Sequence, residues 1–199
     1  LARPQVPTPD SAAAHGPDAD PRDVARAIML RSLTAAPRTR AQLAQLLSAR
    51  GVPNQTAAQM LDRFTELGLI DDAEYARMWA RSRHEVKQAS RRVIREELRR
   101  KGVEEQDIES ALEAIDDGAE HSAALKVAER KVRSTAGLER RVRERRVMAA
   151  LLRRGYSSSV AASAMRAALQ AAEEEDSEDS EDSSDVVDLA EFEDASLPD

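Results

Sequence analysis

Few side chains in this 199-residue chain are of the types that catalyse reactions or bind metals. There is no cysteine, which excludes disulfides and thiolate metal sites. The three histidines, His15, His84 and His121, have no second histidine at the spacing of a metal site. The glycine-rich loops that hold nucleotide phosphates are missing as well. The sequence therefore predicts no metal and no cofactor.

Paired carboxylates occur twice, at Asp71-Asp72 and at Asp116-Asp117. Both pairs lie where helices are predicted to begin, and acidic side chains there cap backbone N–H groups and complement the helix dipole. The serines at 157–159 have no base nearby in the sequence to activate them. We therefore predict that this protein is not an enzyme.

Charge is distributed very unevenly along the chain. The formal net charge is −7, but residues 173–199 contain 14 acidic residues and no basic one. The first 172 residues therefore hold 30 Lys and Arg against the remaining 23 Asp and Glu, and the stretch 21–172 carries a net charge of +9. A basic body of this kind predicts a polyanionic or acidic partner.

Basic residues concentrate in two stretches of the body. Nine basic and three acidic residues lie between Arg81 and Lys101, and eleven basic and three acidic residues lie between Lys126 and Arg154. Simple solvation of helix surfaces explains scattered charges, whereas stripes with few acids favour a functional electropositive surface. The predicted partner-binding residues, chosen by charge geometry alone, are Arg81, Arg83, Arg91, Arg92, Arg95, Arg99, Lys126 and Arg130.

Two aromatic residues, Tyr75 and Trp79, lie one helical turn apart beside the first basic stretch. We predict that they anchor the core; stacking on the bases of a single-stranded nucleic acid is the alternative. A basic surface without stacking aromatic residues would contact phosphates or carboxylates and would not read bases.

The sequence elements that must position these charges recur three times along the chain. A basic residue, a glycine and an apolar residue recur at 50–52, 101–103 and 154–156, so the glycines are 51 and 53 residues apart. Each glycine follows a leucine by four residues, namely Leu47, Leu98 and Leu151. Repeats of this length indicate similar supersecondary units stacked in an elongated molecule that is suited to binding.

Helical signals fill each repeat. Thr39 with Gln42 forms a capping box, and Gly51 and Gly68 are helix stop signals. Apolar residues follow helical periodicity, and no segment alternates like a strand. We predict an all-α fold of three tandem three-helix repeats, similar to helix-turn-helix units, between disordered arms. The predicted segments are an N-terminal arm 1–21, repeats 22–70, 71–117 and 118–172, and an acidic tail 173–199.

Three blocks of sequence resemble the RecX family, the regulatory proteins of the RecA recombinase. The first runs from Leu67 through Gly68-Leu69-Ile70-Asp71-Asp72 to Arg83. The second is the stretch 94–103 (IREELRRKGV), and the third is the stretch 152–156 (LRRGY). The blocks occur in the family's order and spacing, and the resemblance covers about residues 22–172.

The resemblance implies a curved molecule of helical repeats that lies in the groove of the RecA filament on single-stranded DNA. It also implies restraint of ATP hydrolysis, of strand exchange and of the co-protease activity that triggers the SOS response in DNA repair. No run of about 18 apolar residues and no signal peptide occurs, so we expect a cytoplasmic protein without membrane contact. We further expect a monomer whose partner is RecA and which has weak direct DNA binding.

A DNA-binding regulator that acts without RecA is the alternative, because trihelical repeats also serve as helix-turn-helix modules. The third helix of the middle repeat begins Glu104-Glu105, and an acidic start disfavours insertion into the major groove. Salt-sensitive, non-specific DNA affinity is compatible with both functions.

Overall fold

The computed structural model describes residues 20–182, and this region contains nine α-helices and no strand, which confirms the all-α prediction. The helices are α1 (Pro21–Ala35), α2 (Arg40–Ala49), α3 (Asn54–Glu66), α4 (Asp72–Lys87), α5 (Arg91–Arg100), α6 (Glu105–Glu113), α7 (Asp117–Arg133), α8 (Arg140–Arg153) and α9 (Ser158–Asp182).

Side-chain caps lie at the starts of α2 and α9, and the first is the predicted capping box. The Thr39 hydroxyl accepts a hydrogen bond from the Gln42 backbone N–H, and Gln42 Oε1 accepts one from the Thr39 backbone N–H, both at 3.2 Å. Ser157 Oγ accepts the Val160 N–H at 3.2 Å and so caps α9. These caps satisfy amide groups that have no partner within the helix.

The threefold sequence pattern corresponds to one structural unit used three times. Helices α2, α5 and α8 each end two residues before the repeat glycine, which has a positive φ of 75°, 77° or 84°. The leucine four residues before the glycine is fully buried in every repeat. The residue six positions after the glycine is also buried in every repeat. These core residues are Leu47, Leu98 and Leu151, with Ala57, Ile108 and Ala161.

Contacts divide the chain into two compact units, each with its own core. The first unit holds the described residues up to Arg83 together with Ile94–Ala114, and its core includes Met29, Leu43 and Phe64. The second unit holds His84–Val93 together with the described residues from Ile115 onward, and alanines and valines dominate its core. The limits predicted for the three repeats stay a prediction.

Inside the first unit, the start of α2 packs on the end of α5. The Thr39 hydroxyl is fully buried and donates a hydrogen bond to the Lys101 carbonyl at 2.6 Å. Gly102 follows that carbonyl, and a Cβ at this glycine would overlap the side chain of Ala41. The positive φ and the close approach both require glycine here.

The second unit contains an equivalent joint between the start of α5 and the end of α8. Ser90 is fully buried, and its backbone N–H donates to the Arg154 carbonyl at 3.3 Å. A Cβ built on Gly155 would meet the Val93 side chain and lie 2.6 Å from Ser90 Oγ. The repeated glycine therefore ends a helix and also lets the next helix start approach it closely.

Helix α9 is longer than the sequence pattern predicted. The disordered tail was predicted to begin at Glu173, but the helix continues to Asp182. The run of alanine and glutamate at 171–175 explains the extension, because both residues favour helix. The rest of the tail, and residues 1–19 of the predicted arm 1–21, lie outside the described residues. Among the helices of residues 20–182, none has the length and apolar character that a bilayer-spanning helix requires.

Candidate anion-binding residues

The arginines at the C-terminal end of α5 are paired with an acid of the following helix. Arg99 donates two hydrogen bonds to the Glu105 carboxylate, at 2.7 and 2.8 Å, and Arg95 Nε lies 3.4 Å from the same carboxylate. The hydrogen bond from Arg99 lowers the pKa of Glu105. Two of the eight predicted partner-binding residues therefore share one internal counterion, which reduces their attraction for an external anion.

The arginines at the start of α5 also have internal partners. Arg91 Nη1 lies 3.2 Å from an Asp117 carboxylate oxygen, and Arg92 Nε donates to the Gly155 carbonyl at 3.2 Å. The predicted stripe on α5 is therefore a set of cations that already have internal partners, and its role in partner binding stays a prediction.

Around Trp79, a compact cationic surface forms inside the first unit. The indole N–H of Trp79 donates to Glu97 Oε2 at 2.8 Å, and Arg83 Nε lies 2.8 Å from the same oxygen. The Arg83 guanidinium lies 4.5 Å from the Trp79 ring centroid, and Lys101 Nζ lies 3.9 Å from it. We call this group the Trp79 cluster; with Arg100 it lines a cavity of about 260 Å³.

The aromatic pair follows the core prediction only in part. Tyr75 is buried and stacks with Trp79 at a centroid distance of 6.0 Å and an interplanar angle of 11°. Trp79 itself is half-buried at the edge of the core, where the two cations lie against its ring. The spacing of the two residues predicted their contact, but the position of Lys101 next to them depends on how α4 packs on α5.

Three other predicted residues are exposed. Arg81 on α4 and Lys126 on α7 make no hydrogen bond or ion pair with another described residue. Arg130 donates to Gln88 Oε1 at 2.6 Å within the second unit. Of the eight predicted residues, Arg81 and Lys126 are therefore the ones most available to an external anion.

Helix α8 contributes cations that the sequence-based selection missed. Five arginines occur in the seven residues 140–146, which was a visible signal of charge density. Arg140 pairs with Glu144 at 3.2 Å and with Glu173 at 2.6 Å. The other exposed members make no ion pair or hydrogen bond with a described residue, and we call them the α8 arginine group: Arg141, Arg145 and Arg146.

One carboxylate of each pair caps its own helix, as predicted. Asp71 accepts the Glu74 N–H and Asp116 accepts the Ala119 N–H, both at 2.7 Å. Asp72 accepts the Arg40 N–H at 2.9 Å, and burial raises its pKa. Among residues 20–175, whose side chains the structure describes, no group of three or more histidine or acidic side chains has an arrangement that suits a metal ion.

Comparison with known proteins identifies the family of this chain. The models of the three successive helical domains of RecX match residues 25–64, 71–112 and 119–165, in the order first, second and third. This chain belongs to the RecX family. The match confirms the predicted resemblance and the three tandem three-helix domains.

Relatives support the same assignment. The regulatory protein RecX of Streptomyces coelicolor is 44% identical over 154 residues, which is 77% of this chain and 82% of the relative. That of Thermobifida fusca is 42% identical over 159 residues, 78% of this chain and 86% of the relative. This RecX-family chain is therefore a regulatory protein.

Solved RecX structures have the same fold. The crystal structure of RecX from Lactobacillus salivarius superposes with a TM-score of 0.68 at 21% identity, over 75% of this chain and 97% of that one. A second crystal structure, of a regulatory protein RecX, gives a TM-score of 0.64 at 30% identity, over 71% of this chain and 70% of that one. The basic surfaces described above thus belong to a fold found in other RecX proteins.

Proposed function

We propose that this protein regulates the RecA recombinase by binding its filament on single-stranded DNA. In that position it restrains ATP hydrolysis, strand exchange and co-protease activity, and thereby moderates recombinational repair and the SOS response. The observation that carries the proposal is the match of all three RecX domains, in order, along one chain. The protein acts in the cytoplasm, by binding and without catalysing a reaction of its own.

The distribution of unpaired cations supports this proposal. The α8 arginine group is exposed and has no acidic partner among the described residues, and the same holds for Arg81 and Lys126. A RecA–DNA filament repeats the same acidic and phosphate groups along its length. Several weak contacts made by one chain then act together, because each contact raises the effective concentration for the next.

Titration of this protein into a single-stranded-DNA-dependent ATPase assay of the cognate RecA, at physiological salt, tests the proposal. We expect the rate to fall, and the fall to persist when DNA is saturating, since the filament and not free DNA is the target. Replacement of Arg141, Arg145 and Arg146 by alanine should weaken the inhibition. The matched control is Arg63→Ala, which removes an exposed helix arginine that already has an internal partner, Glu66, at 3.2 Å.

Unchanged ATP hydrolysis at saturating protein would refute the proposal. Direct, RecA-independent DNA binding is the second candidate, and the α8 arginine group favours it because guanidinium groups pair well with phosphates. Salt-sensitive binding to naked DNA, together with no effect on RecA, would establish that candidate instead.

A further inference from the structure

The Trp79 cluster has an excess of positive charge at one point of the first unit. Glu97 is the acid of the cluster, and its carboxylate already accepts the Trp79 N–H and faces Arg83. Lys101 and Arg100 form no ion pair with a described acidic residue. The ammonium group of Lys101 contacts aromatic rings, 3.9 Å from the Trp79 centroid and 5.7 Å from that of Tyr75. Two cations beside this cavity therefore remain without a counterion.

Size restricts what such a site can hold. The cavity lined by the cluster measures about 260 Å³. Pockets for drug-sized molecules measure roughly 300–1,000 Å³. The space beside the cluster therefore has room for a single side chain or a small anion.

The surroundings of Trp79 disfavour a nucleic acid base. Proteins that hold single strands offer an open aromatic face to each base and a continuous basic track to the backbone. Here the Trp79 ring is in contact with Arg83 and Lys101. The neighbouring arginines that would extend a track, Arg95 and Arg99, are paired with Glu105. The uncompensated charge is thus local, which suits a carboxylate better than a phosphodiester chain.

We propose that the Trp79 cluster binds an aspartate or glutamate side chain of an acidic protein segment. Arg100 and Lys101 pair with the incoming carboxylate, while Glu97 keeps Arg83 and the indole in place. In the setting of the proposed function, on which this identification of the partner rests, the segment belongs to the RecA protomer and not to the DNA.

The test uses Trp79 as its own reporter, because it is the single tryptophan of the chain. The full-length protein is labelled with fluorotryptophan, so that its fluorine NMR spectrum contains one resonance. The probes are a hexaglutamate peptide, an oligothymidylate of equal charge and inorganic phosphate. We expect the peptide to shift the resonance more strongly than the other two probes do.

Two variants assign the shift to the cluster. Lys101→Gln removes the ammonium but keeps a stem of similar length, and we expect it to weaken peptide binding about fivefold, the effect of removing one close charge in water. Arg100→Gln should act in the same direction. Arg77→Gln is the matched control, because Arg77 is an exposed arginine of α4 that pairs with Glu74 at 2.8 Å; it should bind like the unmodified protein.

Three results would overturn the proposal: no shift with the peptide, a stronger shift with the oligonucleotide, or equal binding by Lys101→Gln and Arg77→Gln. With RecA–DNA filaments, the fluorine signal should respond in the unmodified protein and respond less in Lys101→Gln. If the peptide binds as expected but RecA activity is unaffected by the unmodified protein, the carboxylate site stands and the proposed function fails.

Discussion

The repeated joint between helix ends can be tested at glycines that share one backbone conformation. Gly51 and Gly102 have φ values of 75° and 77°, and each follows the second helix of its repeat. A Cβ at Gly102 would overlap the Ala41 side chain, whereas a Cβ at Gly51 would meet no atom within 4 Å. Replacing each glycine by alanine therefore separates the cost of the backbone conformation from the cost of the close approach.

The expected magnitudes differ clearly. Alanine in a left-handed conformation destabilises the folded state by about 1–2 kcal/mol. The same substitution lowers the entropy of the unfolded chain, which offsets roughly 0.4–1 kcal/mol of that loss. We therefore expect Gly51→Ala to lower the free energy of unfolding by about 1 kcal/mol. Gly102→Ala adds the cost of an overpacked contact, about 1–3 kcal/mol, so its total is about 2–4 kcal/mol.

Urea unfolding followed by circular dichroism measures both variants. A double variant, Gly102→Ala with Ala41→Gly, opens space for the new methyl group and should recover part of the loss. Recovery is measured as the coupling free energy of a double-mutant cycle, which should be about 1 kcal/mol or more after the helix cost of Ala41→Gly is included. Equal losses for Gly51→Ala and Gly102→Ala, with no coupling to position 41, would refute the reasoning.

Three further predictions concern other parts of the molecule. Thr39→Ala removes the cap of α2 and the bond to the Lys101 carbonyl, so we expect a loss of about 1–3 kcal/mol in urea unfolding. Thr34→Ala, at an exposed hydroxyl, should stay within about 0.5 kcal/mol. Burial raises the pKa of Tyr156 to about 12, against about 10 in the unfolded chain. The contribution of the Tyr156 hydroxyl to the free energy of unfolding is therefore complete below a pH of about 10 and is lost as the pH rises towards 12. Tyr156→Phe, although less stable at neutral pH, should lose less stability over that window, and equal pH profiles of the two proteins would contradict this. Alanine at all three positions of the α8 arginine group should reduce the salt dependence of single-stranded DNA binding by about 0.7 per lost phosphate contact, and an unchanged slope would exclude these residues as phosphate contacts.

Only part of the candidate site could be predicted from the sequence. The concentration of arginine in α5 and α8 was visible in composition, and it identified the helices that carry the charge. Which cations remain available was not visible, because Glu105 lies in the next helix and pairs with Arg95 and Arg99 only after α6 turns back towards α5. The net charge of a stretch averages over such acids, whereas an ion pair forms only when its two charged groups lie within a few ångströms of each other.

The sequence by itself determined the helices, their caps and their threefold recurrence. These features depend on interactions within about four residues, such as the Thr39–Gln42 capping box and the glycine that ends each second helix, and so they can be read from local spacing. Tertiary structure alone decided that Thr39 meets the carbonyl of Lys101 and that the side chain of the same lysine meets Trp79. Those contacts join residues 22 and 62 positions apart, and the packing of helix on helix, which local periodicity does not encode, brings them together.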